Sequence, residues 1–279
     1  MPPRASCFPR APFLRPAPAP WRAAGGGHEL GRGPHGGRVG TRLGHAVPKG
    51  LVELDGEPLV VRAARSLALA GCLSAVVVTV PAAERDTFLA LFPARTVPGT
   101  RVPVHVVSGG PTRQASVAAG LAVLGPEVDV VLVHDAARCL APPELVRAVE
   151  SAVRAGHRAV VPALPVTDTV KRVGTPGPDG AAPVLGTVDR ADLRAVQTPQ
   201  AFERSLLDAA HAAGSHRAGD EAVAVSDDAG LVEALGEPVW VVPGDERAMK
   251  VTTPRDLALA ALLLRDDGVT HDGASVTRA

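Results

Sequence analysis

The order of apolar and polar residues divides most of the chain into alternating strands and helices. Residues 58–70 form a predicted helix, because their apolar positions recur on one face and Gly71 ends the pattern. Residues 128–133 contain a short, largely β-branched apolar run at 130–133, which indicates a strand buried in a parallel sheet. The other predicted strands are residues 75–80, 102–107, 159–163, 194–197 and 239–242. The other predicted helices are residues 82–91, 112–124, 143–155, 201–213 and 254–264, with one more capped by Asp227 or Asp228. This alternation predicts right-handed βαβ units, an α/β fold with a mainly parallel twisted sheet and flanking helices.

Three segments lie outside this alternation. Residues 1–36 are crowded with Pro, Gly and Arg and show no period, so they are predicted to be a disordered or mis-assigned leader. Residues 166–190 hold two β-like pieces, 169–173 and 184–188, around a Gly/Pro-rich turn, which predicts a protruding β-arm or, alternatively, a surface loop. The α/β domain is expected to span residues 37–265, and residues 266–279 a flexible tail.

Charge and composition narrow the class of partner. The 29 basic and 29 acidic residues cancel and aromatic residues make up 3% of the chain, so neither a nucleic acid nor a membrane surface is an expected partner. The three cysteines lack the spacing of metal ligands and are odd in number, which suits the reducing cytoplasm.

Lysine is rare in this chain and therefore informative. Of the 29 basic residues only Lys49, Lys171 and Lys250 are lysines. Under such a bias toward arginine, the remaining lysines are candidates for positions where a compact ammonium is required. For each lysine taken singly, chance survival on the surface is the alternative.

The end of the 128–133 strand is the first candidate site. His134 and Asp135 follow the strand directly, and Arg138 comes after two small residues. Ligands of open α/β sheets bind outside the carboxyl ends of the strands, where an aspartate and a guanidinium suit a metal-bound polyphosphate. The alternative is an aspartate that caps the next helix.

Two glycine-containing turns are further candidates. In the first, Gly40 would let the backbone fold around phosphate oxygens, with Arg42 and Lys49 as the positive charges. An ordinary surface loop would look similar.

The second turn leads from a strand into a helix. It contains Gly109 and Gly110, and Arg113 and Ser116 at the start of the helix could hold a base edge or a phosphate. A plain β-α turn is the alternative.

Cations and hydroxyls recur after the later predicted strands, at Thr169, Lys171, Arg190, Thr198 and Lys250. Such a set suits a second anionic substrate. Because no Ser/His/Asp grouping and no His/Cys cluster of metal-ligand type is present in the sequence, the chemistry is expected to depend on positioning and charge.

Eight motifs, in this order and spacing, resemble one enzyme family. They are GTRLG…PK, GGxxRQxSV, VLVHDAAR, DTVK, TVDR, QTPQAF, DDAGLVE and KVTTPRDL, and together they cover roughly residues 38–265. The resemblance is to the 2-C-methyl-D-erythritol 4-phosphate cytidylyltransferases. It implies a Rossmann-like nucleotidyltransferase fold, a homodimer built through the β-arm, and transfer of CMP from CTP to methylerythritol phosphate with release of pyrophosphate. The pathway implied is the non-mevalonate route to isoprenoids.

The same resemblance implies roles for individual residues. Arg42, Lys49 and Mg²⁺ would neutralise the phosphates, and Asp135 would hold the metal. The cytosine would be selected by Gly109, Gly110 and Ser116. The acceptor would be gripped by Arg138, Thr169, Arg190, Thr198 and Lys250.

The chain departs from the family pattern before Gly40. Where the family has an apolar strand and a glycine loop, this chain has His35, two glycines and Arg38, so the first strand of the sheet is predicted to be missing or altered. This departure leaves a second hypothesis, a catalytically impaired homologue that retains only dimerisation or weak nucleotide binding. Arg247 stands where an acid is common near the metal, which would weaken Mg²⁺ binding.

Overall fold

The computed structural model describes residues 48–219 and 227–269 of the chain. The helices are α1 Leu59–Leu69, α2 Arg85–Ala90, α3 Arg113–Leu121, α4 Pro143–Arg154, α5 Arg204–Ala213, α6 Asp228–Ala234 and α7 Pro254–Val269. The strands are β1 Glu53–Leu54, β2 Glu57–Pro58, β3 Val76–Val80, β4 Val104–Ser108, β5 Val130–Val133, β6 Ala159–Pro165, β7 Val170–Val173, β8 Val184–Val188, β9 Arg194–Val196, β10 Gln200–Glu203 and β11 Trp240–Pro243. The predicted leader, the region whose first strand was predicted to be missing or altered, and residues 270–279 lie outside the described residues.

The alternating helices and strands of the α/β class are confirmed. The apolar face of α1 is buried as predicted, and in α4 the apolar positions that recur every three to four residues all face inward. Helix α7 continues to Val269, past the predicted end at residue 264 and into the expected tail. None of the helices in the described part of the chain has the length and apolar character needed to cross a bilayer.

The predicted helix 201–213 is wrong in its first turn, which is a strand. Residues Gln200–Glu203 form β10, and α5 begins only at Arg204. Ala201 and Phe202 are fully buried, and β10 pairs with both β5 and β6. Pairing on both edges satisfies the backbone of a short apolar segment, so tertiary contacts outweigh the local helical pattern.

The main sheet is mixed rather than mainly parallel. Its order is β11-β6-β10-β5, with β9 also paired to β6. Strand β11 is parallel to β6, but β10 is antiparallel to β5 and β6, and β9 is antiparallel to β6. The expectation that β5 lies among parallel neighbours is therefore wrong within the described residues, where its partner is the antiparallel β10.

A second, smaller sheet stands on the other side of a cavity. Strands β3 and β4 are parallel and form the centre of one apolar cluster with residues of α1 and α2. Strand β5 belongs to a different apolar cluster, with residues of β6, β10, α5 and α6. The facing surfaces of β3 and β5 line a cavity of about 680 Å³, whose other walls include apolar side chains of α1 and α3. Its lining extends from Ser74 and Asp129, at the amino ends of the two strands, to their carboxyl ends, where the candidate site lies.

The predicted β-arm is confirmed as an antiparallel pair. Strands β7 and β8 pair from Val170↔Val188 to Val173↔Val184. Three large apolar side chains on the arm are more than half exposed: Val173, Val184 and Leu185, at 55%, 60% and 64%. The arm therefore presents an apolar surface to solvent. Such an exposed apolar surface is unusual on a segment that lies outside the core.

Helix α7 begins with a capping box that also fixes the chain after Lys250. The Thr253 hydroxyl accepts a hydrogen bond from the Asp256 amide at 3.2 Å, and the Asp256 carboxylate accepts from the Thr253 amide at 2.8 Å. The same carboxylate accepts from the Thr252 amide and hydroxyl at 2.8 and 2.7 Å. These bonds, the Thr252 hydroxyl first, lower the pKa of Asp256 to about 2.

The variant Asp256→Ala is expected to lose about 1 kcal/mol of stability, because three donors at the helix start lose their acceptor. For a domain of this size the melting temperature should fall by about 2–4 °C. Since the folded-state pKa is depressed, this contribution is present above the unfolded pKa of roughly 3.9 and is lost as pH falls through about 2.

Thermal unfolding followed by circular dichroism at pH 7 measures this difference. Asp208→Ala is a matched control, because Asp208 forms only a surface pair with Arg204 on α5. Equal melting temperatures for Asp256→Ala and the control would contradict the capping role.

Candidate active site

The turn after β5 is fixed by a threonine from a distant part of the chain. The Asp135 amide donates to the Thr198 hydroxyl oxygen at 3.0 Å, and His134 Nδ1 lies 3.0 Å from the same oxygen. Burial lowers the pKa of His134 to about 4, so the imidazole is neutral near pH 7. The family resemblance implies that Thr198 binds the acceptor substrate. In the structure, Thr198 also holds the backbone that carries Asp135.

Asp135 lies between two cations. Lys250 Nζ is 2.6 Å from Asp135 Oδ2, and Arg113 Nε is 3.6 Å from Asp135 Oδ1. Burial by itself would raise the pKa of this carboxyl, but the hydrogen bond and charge of Lys250 and the charge of Arg113 outweigh it and lower the pKa to about 2. Asp135 is therefore a carboxylate at every pH at which the protein would be assayed.

Arg113 connects this carboxylate to a second, buried one. Arg113 Nη1 is 2.7 Å from Asp228 Oδ2, and His211 Nε2 is 2.9 Å from Asp228 Oδ1. The Asp228 side chain is only 1% exposed. Sequence reasoning missed Asp228 and His211 as site residues, although the DDAGLVE motif contains Asp228.

Asp227, not Asp228, caps α6. Its carboxylate accepts from the Gly230 amide at 3.1 Å and from Gln200 Nε2 at 2.8 Å. Of the two caps that the sequence allowed, the first is confirmed, which leaves Asp228 at the start of the helix turned toward Arg113.

The second glycine turn leaves no room for side chains. A Cβ at Gly110 would lie 2.4 Å from the Ala115 Cβ, and one at Gly109 would lie 2.7 Å from Ser116 Oγ. The Ser116 hydroxyl donates to the Thr112 carbonyl at 2.8 Å and contacts the Gly110 carbonyl at 3.2 Å. The turn is therefore packed tightly against the first turn of α3, which starts at the Thr112 cap.

Lys49 lies at the same cavity as the other cations. It begins a short 3-10 turn, Lys49–Leu51, whose Leu51 packs on the β3–β4 cluster. Lys49, Arg113, Ser116 and Asp135 all line the cavity between β3 and β5. Gly40 and Arg42, the other members of the predicted first loop, lie outside the described residues.

Arg138 holds two distant backbone segments. Its guanidinium donates to the Ala248 carbonyl at 2.7 Å and to the Val196 carbonyl at 3.2 Å. It thereby ties the turn before Lys250 to the strand β9. The nearby Arg247 pairs with Asp245, Nε to Oδ1 at 3.4 Å, so the position at which an acid was expected holds a cation.

Two of the predicted site residues belong to the arm and not to the Asp135 cluster. Thr169 is exposed just before β7, and Arg190 follows β8 and donates to the Thr167 carbonyl. Within the described part of the chain, the hydrogen bonds and ion pairs of these two residues do not connect them to Asp135. Their predicted roles require a second copy of the chain or bound substrate.

The residues around Asp135 suit a divalent cation that also binds phosphate. Among residues 48–219 and 227–269, no group of three or more His, Cys, Asp or Glu side chains is placed to hold a metal by itself. Mg²⁺ at phosphate sites uses one or two carboxylates together with water and substrate oxygens, so a single ionised aspartate is a sufficient protein ligand. Binding of a divalent cation here would depend on the negative charge of Asp135 and on its position in the lining of the cavity.

The strand ends of this α/β sheet carry a tight glycine turn, an ionised aspartate and three cations. These features define a nucleotidyltransferase type of site, in which charge on phosphates is neutralised. A sequence model of one family, the 2-C-methyl-D-erythritol 4-phosphate cytidylyltransferases (IspD), matches residues 34–266. The chain belongs to this family.

Individual members of the family agree with this assignment. The chain is 50% identical over 225 residues to the enzyme of that name from Nocardia farcinica, covering 81% of this chain and 89% of the relative. It is 45% identical over 251 residues to the one from Streptomyces avermitilis, covering 90% and 94%. The crystal structure of 2-C-methyl-D-erythritol 4-phosphate cytidylyltransferase from Thermus thermophilus has a TM-score of 0.60 and 35% identity, covering 78% of this chain and 94% of that one. A 4-diphosphocytidyl-2C-methyl-D-erythritol synthase from Anaerococcus prevotii has a TM-score of 0.65 and 27% identity, covering 77% and 93%.

Proposed function

We propose that this protein transfers CMP from CTP to 2-C-methyl-D-erythritol 4-phosphate, giving 4-diphosphocytidyl-2-C-methyl-D-erythritol and pyrophosphate. The observation that carries the proposal is the ion-paired cluster of Lys250, Asp135 and Arg113 at the end of β5, in a chain that belongs to this family. The cluster presents cations on both sides of one carboxylate. Such an arrangement suits a reaction in which two anions must approach each other.

The chemistry requires charge neutralisation more than proton transfer. The attacking group is a phosphate oxygen of the acceptor, which is ionised near pH 7, so no general base is needed. It forms a bond to the α-phosphorus of CTP, and the bond from that phosphorus to the pyrophosphate oxygen breaks. Lys49 and Arg42 neutralise charge that grows on the transferred phosphate and the leaving group.

Asp135 would hold Mg²⁺, which when bound supplies further positive charge to the triphosphate. This role is supported by the low pKa of the carboxyl and by its place in the lining of the cavity, next to Arg113. Arg113 and Ser116, together with Gly109 and Gly110, would bind the nucleotide. The Gly109 amide already donates to the Val80 carbonyl at 2.7 Å, so of the two glycine amides that of Gly110 would be the one to bind a base or phosphate edge.

The acceptor would be bound by cations and hydroxyls near Asp135. Lys250 pairs with Asp135, Arg138 donates to the Ala248 carbonyl in the segment before Lys250, and the Thr198 hydroxyl accepts from the Asp135 amide. Thr169 and Arg190 would come from the arm of a partner subunit. Cytoplasmic location is consistent with Cys72 and Cys139, which are both free thiols.

Pyrophosphate release in the presence of Mg²⁺ tests the proposed function. Release is expected only when both CTP and methylerythritol phosphate are supplied, and the second product should contain the cytidine. The relatives at 45–50% identity favour an active enzyme over the impaired homologue. No release from protein that is folded by circular dichroism would overturn the proposal in favour of the impaired homologue.

We also propose that the arm forms a homodimer. Its exposed Val184 and Leu185 would be buried against a second copy, which would remove an apolar surface from water. The double variant Val184→Asp with Leu185→Asp is expected to shift the protein to a monomer in light scattering after size exclusion. Activity should fall with it, because Thr169 and Arg190 would lose the partner site.

A matched control is the double variant Leu259→Asp with Leu262→Asp, which places the same two charges on exposed apolar positions of α7. This control should retain the oligomeric state of the wild type. A wild type that is monomeric at assay concentration, or a double variant that stays dimeric, would contradict the role of the arm.

A further inference from the structure

The most buried charged group near the site is the carboxylate of Asp228. The residue is fully buried at the first position of α6, and it has two partners, His211 from α5 and Arg113 from α3. Burying a carboxylate is unfavourable unless it is paired and hydrogen-bonded. Although burial opposes ionisation, the hydrogen bond from His211 and the charge of Arg113 prevail and lower the pKa of Asp228.

The surroundings of Asp228 are held in place by further bonds. Thr112, the cap of α3, donates its hydroxyl to the Ala218 carbonyl at 2.6 Å, and Gln114 donates to the Gly214 carbonyl at 2.9 Å. Both bonds tie the start of α3 to the segment that follows α5. Three helices therefore meet at Asp228, and the position of its carboxylate is determined by the protein core.

Arg113 reaches from this core to the candidate active site. Its Nη1 lies at Asp228 and its Nε faces Asp135, at 2.7 and 3.6 Å. A guanidinium is planar, so fixing one nitrogen restricts the direction of the others. Without a carboxylate at position 228, the ion pair left to Arg113 would be the one with Asp135, which already has Lys250 at 2.6 Å.

We propose that Asp228, oriented by His211, is a positioning residue that holds the guanidinium of Arg113 at the nucleotide-binding edge and prevents it from closing onto Asp135. Two consequences follow if the proposed function holds. Arg113 stays available to the nucleotide, and Asp135 stays available to the metal. Asp228 itself touches neither.

The experiment has a kinetic part, which rests on the proposed function. Asp228→Asn keeps the shape and removes the charge, so KM for CTP should rise by about ten- to a hundredfold, the range expected when a hydrogen bond to a charged group is lost. The effect on kcat should be smaller. In the background of Arg113→Ala, adding Asp228→Asn should change KM little, because the residue acts through Arg113.

Asp227→Asn is the matched control. It removes the neighbouring negative charge but keeps a side-chain oxygen that can cap α6, and it should leave KM for CTP within about twofold of the wild type. Additive effects of Asp228→Asn and Arg113→Ala on KM would overturn the proposal. An equal rise in KM for Asp227→Asn would overturn it as well.

A second measurement does not depend on activity. In ¹⁵N-labelled wild-type protein, the Nε–H signal of Arg113, assigned by its loss in Arg113→Ala, should be ordered and slow to exchange with water. In Asp228→Asn the signal should shift as the guanidinium turns toward Asp135, and in Asp227→Asn it should stay as in the wild type. A mobile Arg113 signal in the wild type overturns the positioning role even if Asp228→Asn fails to fold. An ordered signal without pyrophosphate release would refute only the catalytic function.

Discussion

Replacing Lys49 by alanine is expected to lower kcat for pyrophosphate release by about 10²–10³-fold, the usual loss when one charge-stabilising donor is removed. Lys49 lines the same cavity as Arg113 and Asp135, at the carboxyl ends of β3 and β5. Its ammonium would oppose the charge that develops during transfer, so the loss should appear in kcat more than in KM. Lys49→Arg should also be impaired, because a planar guanidinium does not place charge as an ammonium does.

Arg85→Ala is the control for this experiment. It removes a cation from the surface of α2, where Arg85 has only Asp86 as an ion-pair partner, and it should keep wild-type activity. Circular dichroism establishes that each variant is folded. A turnover of Lys49→Ala within about tenfold of the wild type would refute the catalytic role, since it falls well short of the expected loss.

The second large effect is expected for Asp135→Asn, with a loss in kcat of about 10³-fold or more. The amide keeps the shape of the side chain but cannot pair with Lys250, and it is a poorer ligand for Mg²⁺. The concentration of Mg²⁺ that gives half-maximal activity should therefore rise in the variant. Because the pKa of Asp135 is about 2, its ionisation should not produce an acidic limb in the wild-type profile between pH 5 and pH 8.

Asp129→Asn is a control at the opposite end of the same strand. The Asp129 side chain is 72% exposed and pairs with Arg154 on the surface, so its loss should leave kcat and the Mg²⁺ requirement unchanged. If Asp135→Asn kept the Mg²⁺ requirement of the wild type, the proposed metal ligand would be wrong. The charge of Asp135 would then serve only to place Lys250 and Arg113.

The sequence predicted those parts of the fold in which local periodicity and burial agree. Helix α4 is such a case, because its apolar positions recur at helical spacing and all of them are buried. Strand β10 could not be predicted in this way, because Ala201 and Phe202 gain their burial from pairing with β5 and β6, which come much earlier in the chain. The antiparallel pairing in the main sheet could not be predicted for the same reason, because it also depends on contacts between distant parts of the chain.

For the site, the sequence predicted residue types at strand ends but not which partners meet. Nothing local indicates that Lys250 pairs with Asp135, since the contact depends on how the whole sheet is assembled. Asp227 and Asp228 were equally acceptable caps for α6, because both are aspartates at the start of one helix. The two differ in their partners: Asp227 caps the helix, whereas Asp228 is directed at Arg113 and the site.

The cavity between β3 and β5 has a consequence for how this enzyme is altered by mutation. Lys49 is carried by a turn that packs on the β3–β4 cluster, whereas Asp135 follows β5 and the other cluster. The distance between these two opposite charges therefore depends on how the apolar side chains of the two clusters pack. Exchanging one aliphatic side chain for another along either wall alters the geometry of phosphate transfer while every polar atom of the protein stays the same.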